Sequence, residues 1–310
     1  MTAEPLPKQA GPVALDTLMF DLSESTASYL IDAPRPTLVD VGSASTFNAV
    51  MTGLNARDID HIDSIVLTHI HFDHAGGAGH LAERFPQATV YIHERVAKHL
   101  TDPGPLTEGV RSVWGEQTER LFGLPRPIPA ERIQPISDGD LIDLGDRKLR
   151  AISTPGHTRA HLSFLDEGTG AAICGDALGI QIPGSAVMRP ATPPADFSFP
   201  DAVNSIELLR DLHAASLHVA HFGPALTDPQ TTCDRALEVL RKWHEAFLSE
   251  REYAENDEDL LRRFHCSLEA SLEPVSPVVR RRLETVNPAW LNISGMTMEA
   301  DRLARGRLAA

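Results

Sequence analysis

Cysteine is scarce: the 310 residues include three, Cys174, Cys233 and Cys266. An odd, scattered set supports no disulfide framework and suits a reducing compartment, so a cytoplasmic location is expected. Basic charge is also short. Lys and Arg number 28 against 43 Asp and Glu, a formal net charge of −15. Such a chain repels phosphate backbones, which argues against nucleic acid as a partner. No apolar run approaches the roughly 18 residues of a membrane span, so no membrane partner is expected. The opening segment lacks a basic stretch followed by a long apolar one, so no secretory signal is read there. Internal repeats and low-complexity segments are absent as well. What remains is an ordinary globular composition, 42% hydrophobic and 23% charged. The length allows one large domain, or a domain with an appendage.

Residues 1–14 read as a loose arm. Thr17–Leu22, Ala27–Ile31, Thr37–Val41, Ile62–Thr68 and Thr89–His93 read as strands, being β-branched or apolar and bounded by turn residues. Ser45–Leu54 reads as a helix with a Ser N-cap, and Leu81–Phe85 as another, entered through a tight turn at Gly76-Gly77. Residues 102–135 read as a helical insertion in which Val110, Val113, Trp114 and Leu121 share a face. Leu141–Leu144 and Leu149–Ser153 resume the strands. A hairpin is expected between His161–Leu165 and Ala171–Cys174, across EGTG. The loop 179–200 is rich in proline and expected to be stiff. Ala202–Leu212 is a predicted helix and Leu217–Ala220 a strand ending at His221. From Pro229 the pattern is helical and charged. Leu237, Leu240, Trp243 and Phe247 recur there at helical spacing and imply a buried stripe, covered by the core or by a second subunit in a homodimer. The domain reading is therefore an arm at 1–14, a catalytic domain at 15–228 and a helical C-terminal extension at 229–310. Alternating strands and helices with hairpins among them point to mixed-sheet α/β architecture.

The chemistry concentrates in THIHFDHAGG, Thr68 to Gly77. His69, His71, Asp73 and His74 place four metal-ligand side chains within six residues at the end of a predicted strand. A lone histidine is usually a satisfied core residue, but three imidazoles and a carboxylate at one strand end would each need a polar partner, and a metal supplies one. Three more apolar strands end in a ligand beside glycine: one leads to His157, one to Asp176 and one to His221. Seven nitrogen and oxygen donors exceed one tetrahedral site, so two divalent transition-metal ions are expected, zinc first, with iron or manganese as alternatives.

Taken with Asp40 at the end of an early strand, the pattern His-x-His-x-Asp-His followed by His157, Asp176 and His221 resembles the metallo-β-lactamase-fold hydrolases over roughly residues 15–225. HFDHAGGAGHL, YIHERVAKHLTDP, RPATPPADF and HFGP look most like a small archaeal and bacterial subgroup, related to glyoxalase II and the acyl-homoserine lactonases. The resemblance implies a four-layer αβ/βα sandwich of two mixed β-sheets. It implies that His69, His71 and His157 hold one metal, that Asp73, His74 and His221 hold the other, and that Asp176 bridges them. Asp40 would orient a ligand histidine or the ligand turn. β-Lactamases usually carry Cys where Asp176 stands, and oxygen-reducing members Glu where His71 stands, so neither activity is expected.

Two metals sharing one water would lower its pKa toward neutrality and polarise a substrate oxygen. By family analogy Asp73 would help move a proton to the leaving group, so Asp73 and Asp176 are the expected catalytic carboxylates. The expected activity is hydrolysis of a small ester, lactone or thioester. A phosphodiesterase using the same metals is the alternative, and a metal-retaining binding or regulatory protein is a third reading. No Lys or Arg lies between His69 and Gly79 to clamp a phosphate. The other residues weigh toward ordinary roles: His61, His80, His93, His99 and His161 as surface or satisfied core, Cys174 as core, Arg189 and Arg280–Arg282 as solvated. Trp114, Phe122 and Leu124 suit either a pocket wall or a small core.

Overall fold

The structure is a computed structural model that describes residues 11–185, 187–271 and 276–308. The chain divides into two compact units, one made of residues up to 152 with 164–173, the other of residues 153–163 with 174–310.

Short runs of Val, Ile, Leu and Thr build a six-stranded sheet in the first unit. Its order is β1 (Val13–Asp16), β2 (Ala27–Ile31), β3 (Thr37–Val39), β4 (Ser64–Val66), β5 (Thr89–His93) and β6 (Ile133–Ile136). β1 to β3 pair antiparallel, and β3 to β6 pair parallel, with Leu38 opposite Ile65 and Ile65 opposite Val90. The edge strand β1 alternates buried and half-buried residues, whereas β3 and β4 are buried throughout, as parallel strands covered on both faces require. Parallel neighbours need crossovers. These are supplied by α1 (Phe47–Asn55), α2 (Phe72–Ala75), α3 (Ala78–Arg84), α4 (Lys98–Thr101), α5 (Gly104–Trp114) and α6 (Thr118–Phe122). Val50 and Leu54 of α1 and Leu81 of α3 bury against Leu38, Ile65 and Val90 of the strands. Because β3 and β4 run parallel, Asp40 and Thr68–His74 leave the sheet at one edge, the carboxyl ends of the strands.

β7 (Leu141–Asp143) with β8 (Lys148–Ser153), and β9 (Leu162–Asp166) with β10 (Ala171–Ile173), are two antiparallel pairs of a second six-stranded sheet. The hairpin turn between β9 and β10 is held by the Asp166 carboxylate, which accepts from the Gly168 and Thr169 N–H groups.

The second unit contains the short pair β11 (Ile180–Gln181) and β12 (Met188–Arg189), then α7 (Phe199–Asp211), β13 (Ser216–Val219) and β14 (Gly223–Pro224). Cys174 N–H donates to His218 O and Ala220 N–H to Gly175 O, a parallel pairing that makes the second sheet mixed. Four helices follow: α8 (Pro229–Arg251), α9 (Asp257–Ser271), α10 (Pro277–Val286) and α11 (Ala289–Leu308). Asp228 caps α8 by accepting from Thr231 N–H, with Pro229 in the first turn. Leu237, Leu240, Trp243 and Phe247 form the expected stripe and are buried. α8 packs on α7, α9, α11 and β12, so the stripe is covered within its own unit. No helix among the described residues is long and apolar enough to cross a membrane.

Several boundaries differ from the sequence reading. The first ten residues of the expected arm lie outside the described residues, and its end is already strand, since β1 begins at Val13. Thr17–Leu22 is a left-handed turn, not a strand. Leu18, Phe20 and Asp21 have φ of 54°, 59° and 57°, and the Asp16 carboxylate accepts from Leu18 and Glu24 N–H to hold them. α1 starts at Phe47 without a side-chain cap, after a 3-10 turn at Ala44–Thr46, and Ser45 Oγ instead donates to Leu121 O. Gly76-Gly77 makes no reversal; both are near-helical and join α2 to α3. The insertion does not reach 135, since β6 begins at Ile133 and extends the sheet, and it holds two helices separated at Gly115 (φ 61°). Residue 228 is not a unit border, because the C-terminal helices share one unit with residues 174–228.

Candidate metal centre

In the first unit, the ligand turn is organised by Asp40. This residue is buried and adopts φ 52°, a conformation that aspartate tolerates better than most residues. One carboxylate oxygen accepts from Thr68 N–H at 2.8 Å, and Thr68 Oγ1 donates to the carboxylate at 2.8 Å. The other contact of Oδ2 is His74 Nδ1 at 2.9 Å. A carboxylate only accepts, so His74 carries its proton on Nδ1 and presents the Nε2 lone pair. The same reasoning applies to His69. The single Thr68 hydroxyl proton goes to Asp40, so His69 Nδ1, 3.0 Å from Thr68 Oγ1, is the donor and His69 Nε2 is left as the candidate ligand atom. His69 Nε2 and His71 Nδ1 lie 3.0 Å apart, and His74 Nε2 lies 3.5 Å from Asp73 Oδ2. His69 and His74 are fully buried, while His71 and Asp73 are half-buried.

In the second unit, the loops bearing His157 and His221 meet Asp176. His157 Nε2 is 3.5 Å from Asp176 Oδ2 and His221 Nε2 is 3.6 Å from Asp176 Oδ1. His157 Nδ1 donates to Ala191 O at 2.9 Å, which again leaves Nε2 as the candidate ligand atom. The Asp176 backbone is held by its N–H donating to His161 Nε2 at 3.1 Å. His161 Nδ1 in turn pairs with Thr154 Oγ1 at 2.8 Å, and Thr154 with Ser163 Oγ at 2.8 Å.

The donor sets suit a transition metal. The separations of 3.5 and 3.6 Å about Asp73 and Asp176 are too long for hydrogen bonds. They match the edge of a tetrahedron with metal–ligand bonds near 2.0–2.1 Å, roughly 3.4 Å. Buried imidazoles whose second nitrogen is pinned by a carboxylate, hydroxyl or carbonyl are the arrangement that metal-binding histidines use.

The seven predicted ligands thus fall into a set of four in the first unit and a set of three in the second. Asp40 orients both the ligand turn and His74, the two roles considered for it. Asp176 holds apart two imidazoles, one per oxygen. His161 was read as surface or core; it is buried core, and it also supports the Asp176 backbone. Thr68 and Thr154 were not singled out. A hydroxyl residue within an apolar strand, one position before His69 or three before His157, was the available signal. Arg189 is not solvated: it is buried, paired with Glu284 at 2.7 Å, bonded to Asn287 O at 2.7 Å and stacked over Trp243. Phe122 is buried among Phe20, Phe72 and Trp114, while Leu124 is exposed. Cys174 is buried core, and burial raises its thiol pKa far above the usual range. Burial lowers the pKa of His80, His93 and His99, and pushes that of His218 down to about 4.

A family model described as the metallo-beta-lactamase superfamily matches residues 24–221, a span that contains Asp40 and all seven candidate ligands. The chain belongs to the metallo-beta-lactamase superfamily. Members of this superfamily are generally hydrolases, and its fold accounts for the two mixed sheets. YobT of Bacillus subtilis is 32% identical over 224 residues, which are 69% of this chain and 90% of that protein. The crystal structure of ST1585 from Sulfolobus tokodaii, an archaeal metallo-beta-lactamase superfamily protein, superposes with a TM-score of 0.68 at 21% identity, covering 93% of this chain and 98% of that one. At that identity the likeness concerns the fold. A hydroxyacylglutathione hydrolase of Vibrio cholerae is 30% identical over 141 residues, 46% of this chain and 41% of that protein.

Proposed function

We propose that this superfamily member is a dinuclear metal-dependent hydrolase of small esters, thioesters or lactones. In this reading His69, His71 and His157 would hold one ion, Asp73, His74 and His221 would hold the other, and Asp176 would serve both. The observation that carries it is the Asp176 carboxylate, whose two oxygens each face a different imidazole at a spacing too long for hydrogen bonding and right for shared coordination. Zinc is the first choice, with iron or manganese as alternatives, because the donors are imidazole nitrogen and carboxylate oxygen. When bound, such ions supply Lewis acidity and a nucleophilic water at neutral pH.

The chain's own groups do the rest. Asp40 and Ala191 O keep His74 and His157 in the tautomer that offers Nε2. Asp73, half-buried, keeps an oxygen within reach of solvent and is assigned proton transfer to the leaving group. Phe72, between His71 and Asp73, packs edge-on against Phe122, which packs against Trp114, so this turn is anchored in a buried aromatic cluster. The hydroxyacylglutathione hydrolase relative supports acyl chemistry. The acidic chain, with no Lys or Arg from His69 to Gly79, offers no track for a polyanion, and a small-molecule substrate is proposed.

The test is a comparison of kcat/KM for p-nitrophenyl esters, simple lactones and thioesters with that for bis-p-nitrophenyl phosphate on one metal-loaded preparation. Acyl substrates should be preferred. A tenfold phosphodiester preference, about 1.4 kcal/mol in transition-state binding, would overturn the acyl assignment. Full metal content without turnover of any substrate would favour a binding protein.

A further inference from the structure

The C-terminal helices grip the backbone that orients a metal ligand. His157 Nδ1 is held by Ala191 O. Ala191 lies between two residues that are tied to the C-terminal helices. On one side Asn287 Nδ2 donates to Pro190 O at 2.9 Å. On the other Thr192 N–H donates to Asn292 Oδ1 at 2.7 Å, and Thr192 Oγ1 lies 3.0 Å from the same oxygen. The two amides are themselves joined, since Asn292 Nδ2 donates to Asn287 Oδ1 at 2.7 Å. Asn292 is fully buried and Asn287 nearly so.

A buried polar network whose members all have partners is rigid and directional, and it costs stability wherever one member is lost. The helix also sits directly on this loop. A Cβ at Gly295 of α11 would lie 2.1 Å from Thr192 O and 2.5 Å from Pro193 C, so only glycine permits the approach. Farther along, Glu299 accepts from Phe199 N–H and Arg302 donates to Phe197 O, extending the contact to the end of the loop. A helix needed only to cover the core could do so with apolar side chains. Here buried amides are spent on two main-chain groups that flank one carbonyl.

We propose that Asn292 is a positioning residue for the metal ligand His157, acting through Asn287 and the 190–192 backbone to fix the Ala191 carbonyl that sets the tautomer and direction of the imidazole. The proposal rests on the assignment of His157 as a ligand. It gives the C-terminal helices a place in the active site although they contribute no ligand.

The test compares full-length wild-type, Asn292→Ala, Thr192→Val, Arg251→Ala and His157→Ala proteins. Zinc release is followed by chelator competition, cobalt-loaded protein by absorption, and metal-free protein by thermal melting. Arg251→Ala is the control. It removes the Asp301 pair and a bond to Thr297 O on the same helix, away from residues 190–192. Asn292→Ala should release one metal equivalent about tenfold more readily, the loss typical of groups that orient metal ligands. It should also shift the cobalt spectrum. Thr192→Val should change both in the same direction by less, and Arg251→Ala should change neither, although it too lowers the melting temperature. If Asn292→Ala fails to fold, Thr192→Val decides. A lowered melting temperature with wild-type zinc affinity and cobalt spectrum in both Asn292→Ala and Thr192→Val would overturn the proposal while His157→Ala still loses metal. If His157→Ala binds metal as wild type does, the ligand assignment fails, and this proposal with it.

Discussion

Asp40→Asn separates the fold from the metal chemistry, because it changes one atom in a buried site. Asp40 is almost fully buried, with one oxygen serving Thr68 N–H and the other serving His74 Nδ1 and the Thr68 hydroxyl. Asparagine has the same shape. Its carbonyl can keep the Thr68 N–H bond, and the Thr68 hydroxyl can turn to the same oxygen, 3.0 Å away in the native protein. Its NH2 group then meets His74 Nδ1, where two donors cannot pair. The imidazole relieves the clash by moving its proton to Nε2, the atom that faces Asp73. The cost in metal-free stability is the charge-assisted bond to His74 less what the amide recovers, about 1.5–3 kcal/mol. The cost in metal affinity is larger in kind, because the ligand atom is protonated, and a loss of 10–100-fold at the site holding His74 is expected. Urea unfolding of the metal-free protein measures the first, and zinc titration against a competing chelator the second. An Asp40→Asn protein with wild-type zinc affinity at both sites would refute the reasoning that Asp40 sets the His74 tautomer.

Asp176→Ala should release both metals and abolish turnover, whereas His221→Ala should release one; elemental analysis distinguishes them, and near-normal metal content in Asp176→Ala would exclude bridging. Removing metal with a strong chelator should abolish hydrolysis reversibly, with activity returning as two equivalents of zinc are restored. Arg189→Ala should destabilise the protein by about 3 kcal/mol in denaturant unfolding, because it leaves the Asn287 carbonyl and Glu284 without their cation and removes the stack on Trp243. His218 sits buried with its pKa depressed to about 4. A depressed folded value means the neutral form is favoured, so its contribution is full above the unfolded pKa near 6.5 and is lost as pH falls toward 4, about 3 kcal/mol in all. His218→Phe should flatten that limb of the metal-free stability profile, and an unchanged profile would count against it.

The candidate ligand set was legible in the chain because its donors are dense. His69, His71, Asp73 and His74 lie within six residues, and no packing reason accounts for three imidazoles and a carboxylate at one strand end. His157, Asp176 and His221 were legible because each follows an apolar run beside glycine. β2 and β5 were predicted to the residue for a similar reason, since their β-branched and apolar runs are bounded by turn residues. The expected strand at Thr17–Leu22 shows the limit. Its apolar composition suits a strand, but the Asp16 carboxylate and three left-handed residues make it a turn. What only the tertiary structure decided is the direction of hydrogen bonds between distant residues. Asp40 meets Thr68 and His74 because β3 and β4 lie parallel, and Asn292 meets Thr192 across 100 positions of sequence. Periodicity reports which face of an element is buried, since apolar side chains of any identity suit that face. It carries no record of which buried donor faces which acceptor, and that pairing sets the tautomers on which the metal centre depends.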